Sequence, residues 1–402
     1  MKNLIRFLSI VFIFIFVAAC TKPVAKCTAP EDNPQHHYLR GMENLEQGKV
    51  GIANEKFERA LFCDTKFSPA YSGLSIVIAE KARAHTDPKF RGIEVDRAKE
   101  QLKKAAKIAE SDEDKFDYFV AVIRVNTLLK EKEWLKTAED AFNEARKLKV
   151  DEKKLIYYQG VEAANYFLGI AYLDAKEFQN SRDKFADVLN MKRDGRWHEK
   201  ADKLWKRVDK IVRAMAGITV GDVGKQIAVQ DSVTRADLAA LLIDELKIDK
   251  LFEGRIPVKS KIEKMTAEFT PPDILNNAFK DEILTIMKWR VRGLEPKYDE
   301  ITKAYLFKPA DLVSRGEMAF ILEDVLMKLT GDEKIATAYF GQEKSPFPDV
   351  KTTSPFYNAV MNMTTRGVMD GELSGEFRIN EPIDGAEALL AIRVLRQRIN
   401  VY

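Results

Sequence analysis

One pattern recurs three times, in order, along the C-terminal half of this 402-residue chain. Its last copy reads Phe347-Pro348-Asp349-Val350, Phe356-Tyr357-Asn358-Ala359-Val360, Arg366-Gly367-Val368, Asp370-Gly371 and Phe377, and closes on Ile383-Asp384-Gly385-Ala386-Glu387. The middle copy offers Phe279-Lys280-Asp281-Glu282-Ile283 as its opening. Arg292-Gly293-Leu294, Phe307-Lys308-Pro309 and Ser314-Arg315-Gly316-Glu317 follow. The first copy keeps mainly its second half, Val233-Thr234-Arg235-Ala236-Asp237, after a helical stretch near Leu204 to Met215 and Gly217-Ile218.

Much of this pattern is helix mechanics. Thr234, Ser314 and Asp384 can each cap a helix, and Asp237, Glu317 and Glu387, three residues on, can close a capping box. The opening Phe and Val, with Leu238, Leu241 and Leu242, are expected in the core. The glycines permit turns at positive φ. Capping does not require the arginines at 235 and 315, and the third copy has Gly385 in that place.

Between about residues 36 and 200 apolar residues recur at three and four, the period of a helix. Small residues stand where antiparallel helices must touch: Gly41, then Ala53, Phe57 and Ala60; Ala98, Leu102 and Ala105; Ala138, Phe142 and Ala145; Gly169, then Ser181, Phe185 and Val188. Asn126 replaces the first-helix glycine in the third unit. Thr86-Asp87-Pro88 should break a helix within an insertion from His85 to Arg97. The spacing resembles the tetratricopeptide (TPR) repeat, in which hairpins unable to bury their apolar faces alone stack into a curved solenoid. That resemblance implies a groove for a protein or peptide ligand.

The threefold C-terminal pattern resembles the S-layer homology (SLH) motif. The family implies a pseudo-threefold helical bundle whose grooves bind an anionic cell-wall glycan or peptidoglycan. A forked guanidinium suits a sugar carboxylate. The glycan-binding candidates are therefore Arg235 and Arg315, each beside a capping residue, Thr234 and Ser314. Gly385 removes that cation from the third copy.

At the N-terminus Lys2 and Arg6 precede an apolar run from Phe7 to Ala19. Thirteen helical residues rise about 20 Å, short of the roughly 30 Å of a bilayer core, so a signal peptide fits better than a span. Val17-Ala18-Ala19-Cys20 resembles the lipobox of bacterial lipoproteins, which implies lipidation of Cys20 and membrane attachment. Thr21, where an Asp would mark inner-membrane retention, points to the outer membrane. Cys27 and Cys63 then remain, and an oxidising envelope permits a disulfide between them; two free thiols is the alternative.

Lys plus Arg is 65 against 62 Asp plus Glu, a net charge of +3, which argues against nucleic-acid binding. Three cysteines and four histidines leave little for a metal site, and no nucleophile triad, zinc motif or phosphate loop is present. His36-His37 reads as a solvated helix start. No enzyme, cofactor or metal is expected.

The expected fold class is all-α, a TPR-like helical-hairpin solenoid followed by a pseudo-threefold SLH helical bundle. The expected parts are a signal peptide at 1–19, a lipidated linker at 20–35, repeats at 36–200 and an SLH domain at 201–402, with motifs near 201–248, 271–329 and 345–402. The expected function is an outer-membrane lipoprotein of the bacterial envelope, facing the periplasm, that ties wall glycan to a protein partner. The alternative is a non-enzymatic scaffold for a secretion, polysaccharide-export or surface complex.

Overall fold

The computed structural model describes residues 27, 29–191, 194–216, 220–253 and 267–399, so the signal segment, Cys20 and Gly217-Ile218 lie outside the described residues. The chain divides into two compact units after Asp202. Among the described residues the secondary structure is almost wholly helical, with one two-stranded antiparallel ribbon. None of the described helices is long and apolar enough to cross a membrane.

In the first unit helices pack in consecutive pairs: α1 (Pro34–Glu46) on α2 (Val50–Cys63), α3 (Ser68–Ala84) on α4 (Pro88–Ile108), α5 (Asp112–Leu129) on α6 (Trp134–Ala145), and α7 (Glu162–Asp174) on α8 (Phe178–Met191). The first helices of successive pairs also pack on one another. Polar caps start the helices: the side chains of Asn33, Asp87 and Ser111 accept N–H bonds at the starts of α1, α4 and α5. The glycines act through absence. A Cβ on Gly41 or Gly73 would overlap the Phe57 ring, which fills the space between α1 and α3. A Cβ on Gly169 would lie 2.7 Å from the Phe185 ring. In the third pair Asn126 folds its amide back onto the Val122 carbonyl at 2.9 Å. The break at Asp87-Pro88 starts a new helix, so the insertion adds turns to α4.

The groove expected to hold a peptide is filled at the shared face of α1, α5 and α7 by the chain itself. Tyr157 and Tyr158, from the connection after α6, and Trp197, just after α8, are buried there. The Trp197 indole lies 4.9 Å from Tyr166 and 5.1 Å from Phe167, and donates its N–H to the Tyr158 carbonyl at 2.8 Å. Glu46, ending α1, accepts from Tyr157 at 3.1 Å and Arg196 at 2.9 Å and also pairs with Lys200. Large aromatic area leaves water this way, and these three side chains occupy that face.

Tyr38 donates to the buried Asp117 carboxylate on the same face. Burial pushes that carboxyl up to about 7, against the lowering effect of the Tyr38 hydroxyl. His37 is not a solvated start. It is buried and 2.8 Å from Asp32, which also takes Arg59 at 2.6 and 2.9 Å. Those bonds, Arg59 first and His37 second, hold Asp32 at about 2. Cys27 and Cys63 are joined as a disulfide beside them, with Cα atoms 5.4 Å apart.

The second unit contains the end of α9 (His198–Met215), α10 (Asp222–Ala228), α11 (Arg235–Asp244), α12 (Ile248–Glu253), α13 (Lys280–Lys288), the ribbon β1 (Lys297–Asp299) and β2 (Ala304–Leu306), α14 (Arg315–Thr330), α15 (Tyr357–Thr365) and α16 (Gly385–Ile399). Its copies meet in a ring of backbone hydrogen bonds. Val233 N donates to Ile383 O at 2.9 Å, Ile383 N to Val313 O at 3.0 Å, and Val313 N to Val233 O at 2.9 Å. All three residues are buried, so the bonds are kept from water. From this ring α11, α14 and α16 begin two residues later, each at the same step of its copy.

Candidate functional site

The ring directs the start of each second helix into the neighbouring copy. Thr234 and Ser314 both close full capping boxes, with Asp237 and Glu317. Their hydroxyls are occupied by those bonds. The third copy is half of this: Asp384 Oδ1 accepts from Glu387 N at 2.8 Å, while the Glu387 side chain pairs with Arg315.

Arg235 and Arg315 are not open forks. Arg235 is 3% exposed and donates three bonds to backbone oxygens of the middle copy: Phe307 at 2.9 Å, Gly293 at 2.7 Å and Glu295 at 3.0 Å. Its guanidinium also lies 4.9 Å from the Phe307 ring centre. Arg315 is 0% exposed and does the same to the last copy, donating to Phe377 O at 2.6 Å and Asp370 O at 2.7 Å and lying over the Phe377 ring. Burial, with repulsion from Arg378, pulls Arg315 down to about 10. Burial lowers Arg235 too, against the pull of Glu317, Asp311, Glu295 and Asp273. Both stay charged at neutral pH. The expectation that these two arginines meet a glycan directly gives way to a positioning role: each holds the short segment around the phenylalanine of the next copy, Phe307 or Phe377, which forms that copy's aromatic hook.

The hook is fixed from its other side by an aspartate. Asp349 accepts from the N–H groups of Phe377 at 2.8 Å and Ile379 at 3.0 Å. Burial opposes its charge, but these bonds prevail and hold the carboxyl below its ordinary value. In the middle copy the same duty falls to Asp273, which accepts from Phe307 N at 3.1 Å and Lys308 N at 2.7 Å. The opening of that copy is therefore Pro272-Asp273-Ile274, matching Pro348-Asp349-Val350. Phe279 instead precedes α13, as Phe356 precedes α15.

The third junction is built differently. Six positions before Val313 and Ile383 stand Phe307 and Phe377, but six before Val233 stands Ile227, inside the short helix α10. Gly385 N donates to Gln230 O at 3.0 Å, and a Cβ on Gly385 would overlap the Ile227 carbonyl. An arginine does not fit there. The missing cation and the missing hook face each other.

Lys308 and Arg378, one residue after each hook phenylalanine, are partly exposed cations, unlike the two buried arginines. Both have left-handed backbones, with φ of 55° and 57°. Lys308 pairs with Asp299 at 3.4 Å, and Arg378 with Glu372 at 2.7 Å and Glu381 at 3.1 Å. The signal for them lay in the quoted Phe307-Lys308-Pro309, where the lysine's place after the hook has a counterpart at Arg378.

Comparison with known families fits this geometry. No curated protein and no solved structure matches the chain. The family model of the S-layer homology domain matches residues 346–389, from just before Asp349 to the first turn of α16, and so marks the C-terminal unit with a module of cell-wall or surface glycan attachment.

Proposed function

We propose that the C-terminal unit is a pseudo-threefold SLH bundle that attaches the chain to cell-wall glycan. The observation that carries this reading is the hook. The Asp349–Phe377 clasp inside the matched residues recurs as Asp273–Phe307, and each hook is pinned by the preceding copy's arginine. Lys308 and Arg378 are the side chains placed to touch glycan at these junctions, with Arg235, Arg315, Thr234 and Ser314 holding the backbone that presents them.

In this reading the N-terminal hairpins are a TPR-like solenoid and Cys20 carries the lipid, so the protein bridges the outer membrane and the wall from the periplasmic side, without catalysis. With the first-helix face filled, a protein partner would use the cleft of about 460 Å³ lined by Phe142, Arg146, Asn165, Lys184 and Asn190. The test is sedimentation of the chain from Cys20 onward with purified sacculi. The parent pellets with them, and Lys308→Ala with Arg378→Ala lowers the pelleted fraction at unchanged helix content. A parent that stays in the supernatant unless envelope proteins are added overturns attachment and leaves the assembly scaffold.

A further inference from the structure

The middle copy differs from the last in one respect that the clasp does not need. From the turn glycine to the hook phenylalanine the last copy takes ten positions, Gly367 to Phe377, and the middle copy fourteen, Gly293 to Phe307. The longer path forms the ribbon β1–β2, with Tyr298 paired across from Tyr305. Their rings are 5.3 Å apart, and Phe269 lies 6.3 Å beyond Tyr305. These three rings are 41–55% exposed, Phe269 least and Tyr305 most. An added segment that turns aromatic rings outward runs against the tendency of such rings to leave water, and rimmed apolar patches of this kind mark binding sites.

Behind the rings is a cleft of about 630 Å³, within the range that holds small ligands. Val291 and Leu294 form a buried apolar floor, and Glu268, Arg290 and Glu295 line the rim. The rim is charge-compensated on its acidic side. Arg290 donates to Glu268 at 2.8 Å, and Glu295 adds a second carboxylate, which accepts from Gly293 N at 2.7 Å. Such a rim repels an anionic chain but offers donors and acceptors to hydroxyl and amide groups.

The cleft is also held in shape. Asp299 accepts three bonds at the ribbon's turn, from Ile301 N, Thr302 N and the Thr302 hydroxyl, at 2.9–3.1 Å. Arg290 has a left-handed backbone, and its carbonyl is held by Lys328 at 2.6 Å. A preformed surface loses little freedom on binding.

Resting on the glycan-attachment reading, we propose that this cleft is a saccharide site for an uncharged stretch of glycan, stacking N-acetylhexosamine rings on Phe269 and Tyr305 while the rim bonds their polar groups. Sugars present apolar C–H faces to aromatic rings and polar edges to such a rim. The location favours a glycan over another occupant: Leu294 and Glu295, which wall the cleft, belong to the turn whose Gly293 and Glu295 carbonyls Arg235 binds, so the cleft adjoins the junction of the first and middle copies.

The experiment titrates the chain from Cys20 onward with the N-acetylglucosamine tetrasaccharide by calorimetry, with an acidic galacturonate tetramer as the charged counterpart. The neutral sugar should bind at least tenfold more tightly than the acidic one. Phe269→Ala with Tyr305→Ala should weaken it at least tenfold at an unchanged melting profile, and Tyr305→Trp should preserve it. No saturable binding to the parent, equal binding to the double variant, or preference for the acidic sugar overturns the proposal. So does a concentration-dependent dimer of the parent that the double variant abolishes without any effect of sugar. Sacculus sedimentation separates the two readings. Retention on sacculi without tetrasaccharide binding removes the cleft and keeps attachment. Tetrasaccharide binding lost in the double variant, without retention on sacculi, keeps the cleft and removes attachment.

Discussion

Replacing Arg315 by alanine should loosen the last hook far more than the bundle around it. The substitution leaves the carbonyls of Phe377 and Asp370 without their donor and removes the partner of Glu387. Each buried polar group left unsatisfied costs about 1–3 kcal/mol, and breaking a buried ion pair costs about 3–5 kcal/mol. Arg378 still reaches Glu387 at 3.6 Å, so the low end applies. A loss of about 5 kcal/mol is expected, mostly in the local opening of residues 370–379. Amide hydrogen exchange of the full chain reads that opening segment by segment. Exchange in 370–379 should rise by more than a hundredfold while α5 and α7 are unchanged. Arg315→Lys keeps the charge without the fork and should recover less than half of the loss. A change of less than about tenfold at 370–379 would refute the argument that the arginine holds the hook, and with it the positioning role.

Three more outcomes follow from particular contacts. Gly385→Ala should destabilise the C-terminal unit by several kcal/mol, because its Cβ meets the Ile227 backbone, which cannot retreat like a side chain; urea unfolding of the full chain reads this, and a neutral result removes the overlap. Asp117→Asn should stabilise the N-terminal unit at pH 8 and progressively less toward pH 4. The raised carboxyl is held neutral in the folded chain below about 7 but ionises near 3.8 when unfolded, so its contribution is full below the unfolded value and lost as pH rises through the folded one. A gain independent of pH would show that Asp117 does not titrate there. Cys63→Ser opens a loop of sequence separation 36 and should cost about 3–4 kcal/mol in the chain-entropy account; two thiols labelled in unreduced, denatured parent protein would show no bridge to lose.

The parts of this molecule legible in its sequence are those that obey local rules. Thr234 and Ser314 announce capping boxes because the partner acid is three residues away. Gly41 and Phe57 announce a close helix pair because a wedge needs a gap opposite it. The illegible parts depend on what the chain brings back from far along its length. Nothing near Arg235 says that the carbonyls of residues 293, 295 and 307 will converge on it, so an arginine after a cap reads equally as a surface fork or an interior clamp. Asp273 was hidden because its copy sets the clasp within Pro272-Asp273-Ile274 and then repeats a similar Phe-x-Asp spacing at Phe279. Trp197 reads as one aromatic residue after α8, yet it closes over Tyr158, 39 residues earlier, and shuts the face that the repeat resemblance leaves open.

The third junction shows why these positions change together. An arginine in the first turn of a second helix is tolerable only where the next copy supplies carbonyls and a ring to surround it, since a buried guanidinium without partners is more expensive than none. The hook, in turn, holds its course because an arginine ties its carbonyls from one side and an aspartate its N–H groups from the other. Where the first copy substitutes the helix α10 for the hook, its carbonyls are directed along that helix and offer no cradle. The matching residue in the last copy must then be small enough to pass the Ile227 carbonyl, and it is Gly385. Arginine and hook therefore form one unit shared between neighbouring copies. A junction retains both or neither, and at the two that retain both the residue held directly after the hook phenylalanine is a cation, Lys308 or Arg378.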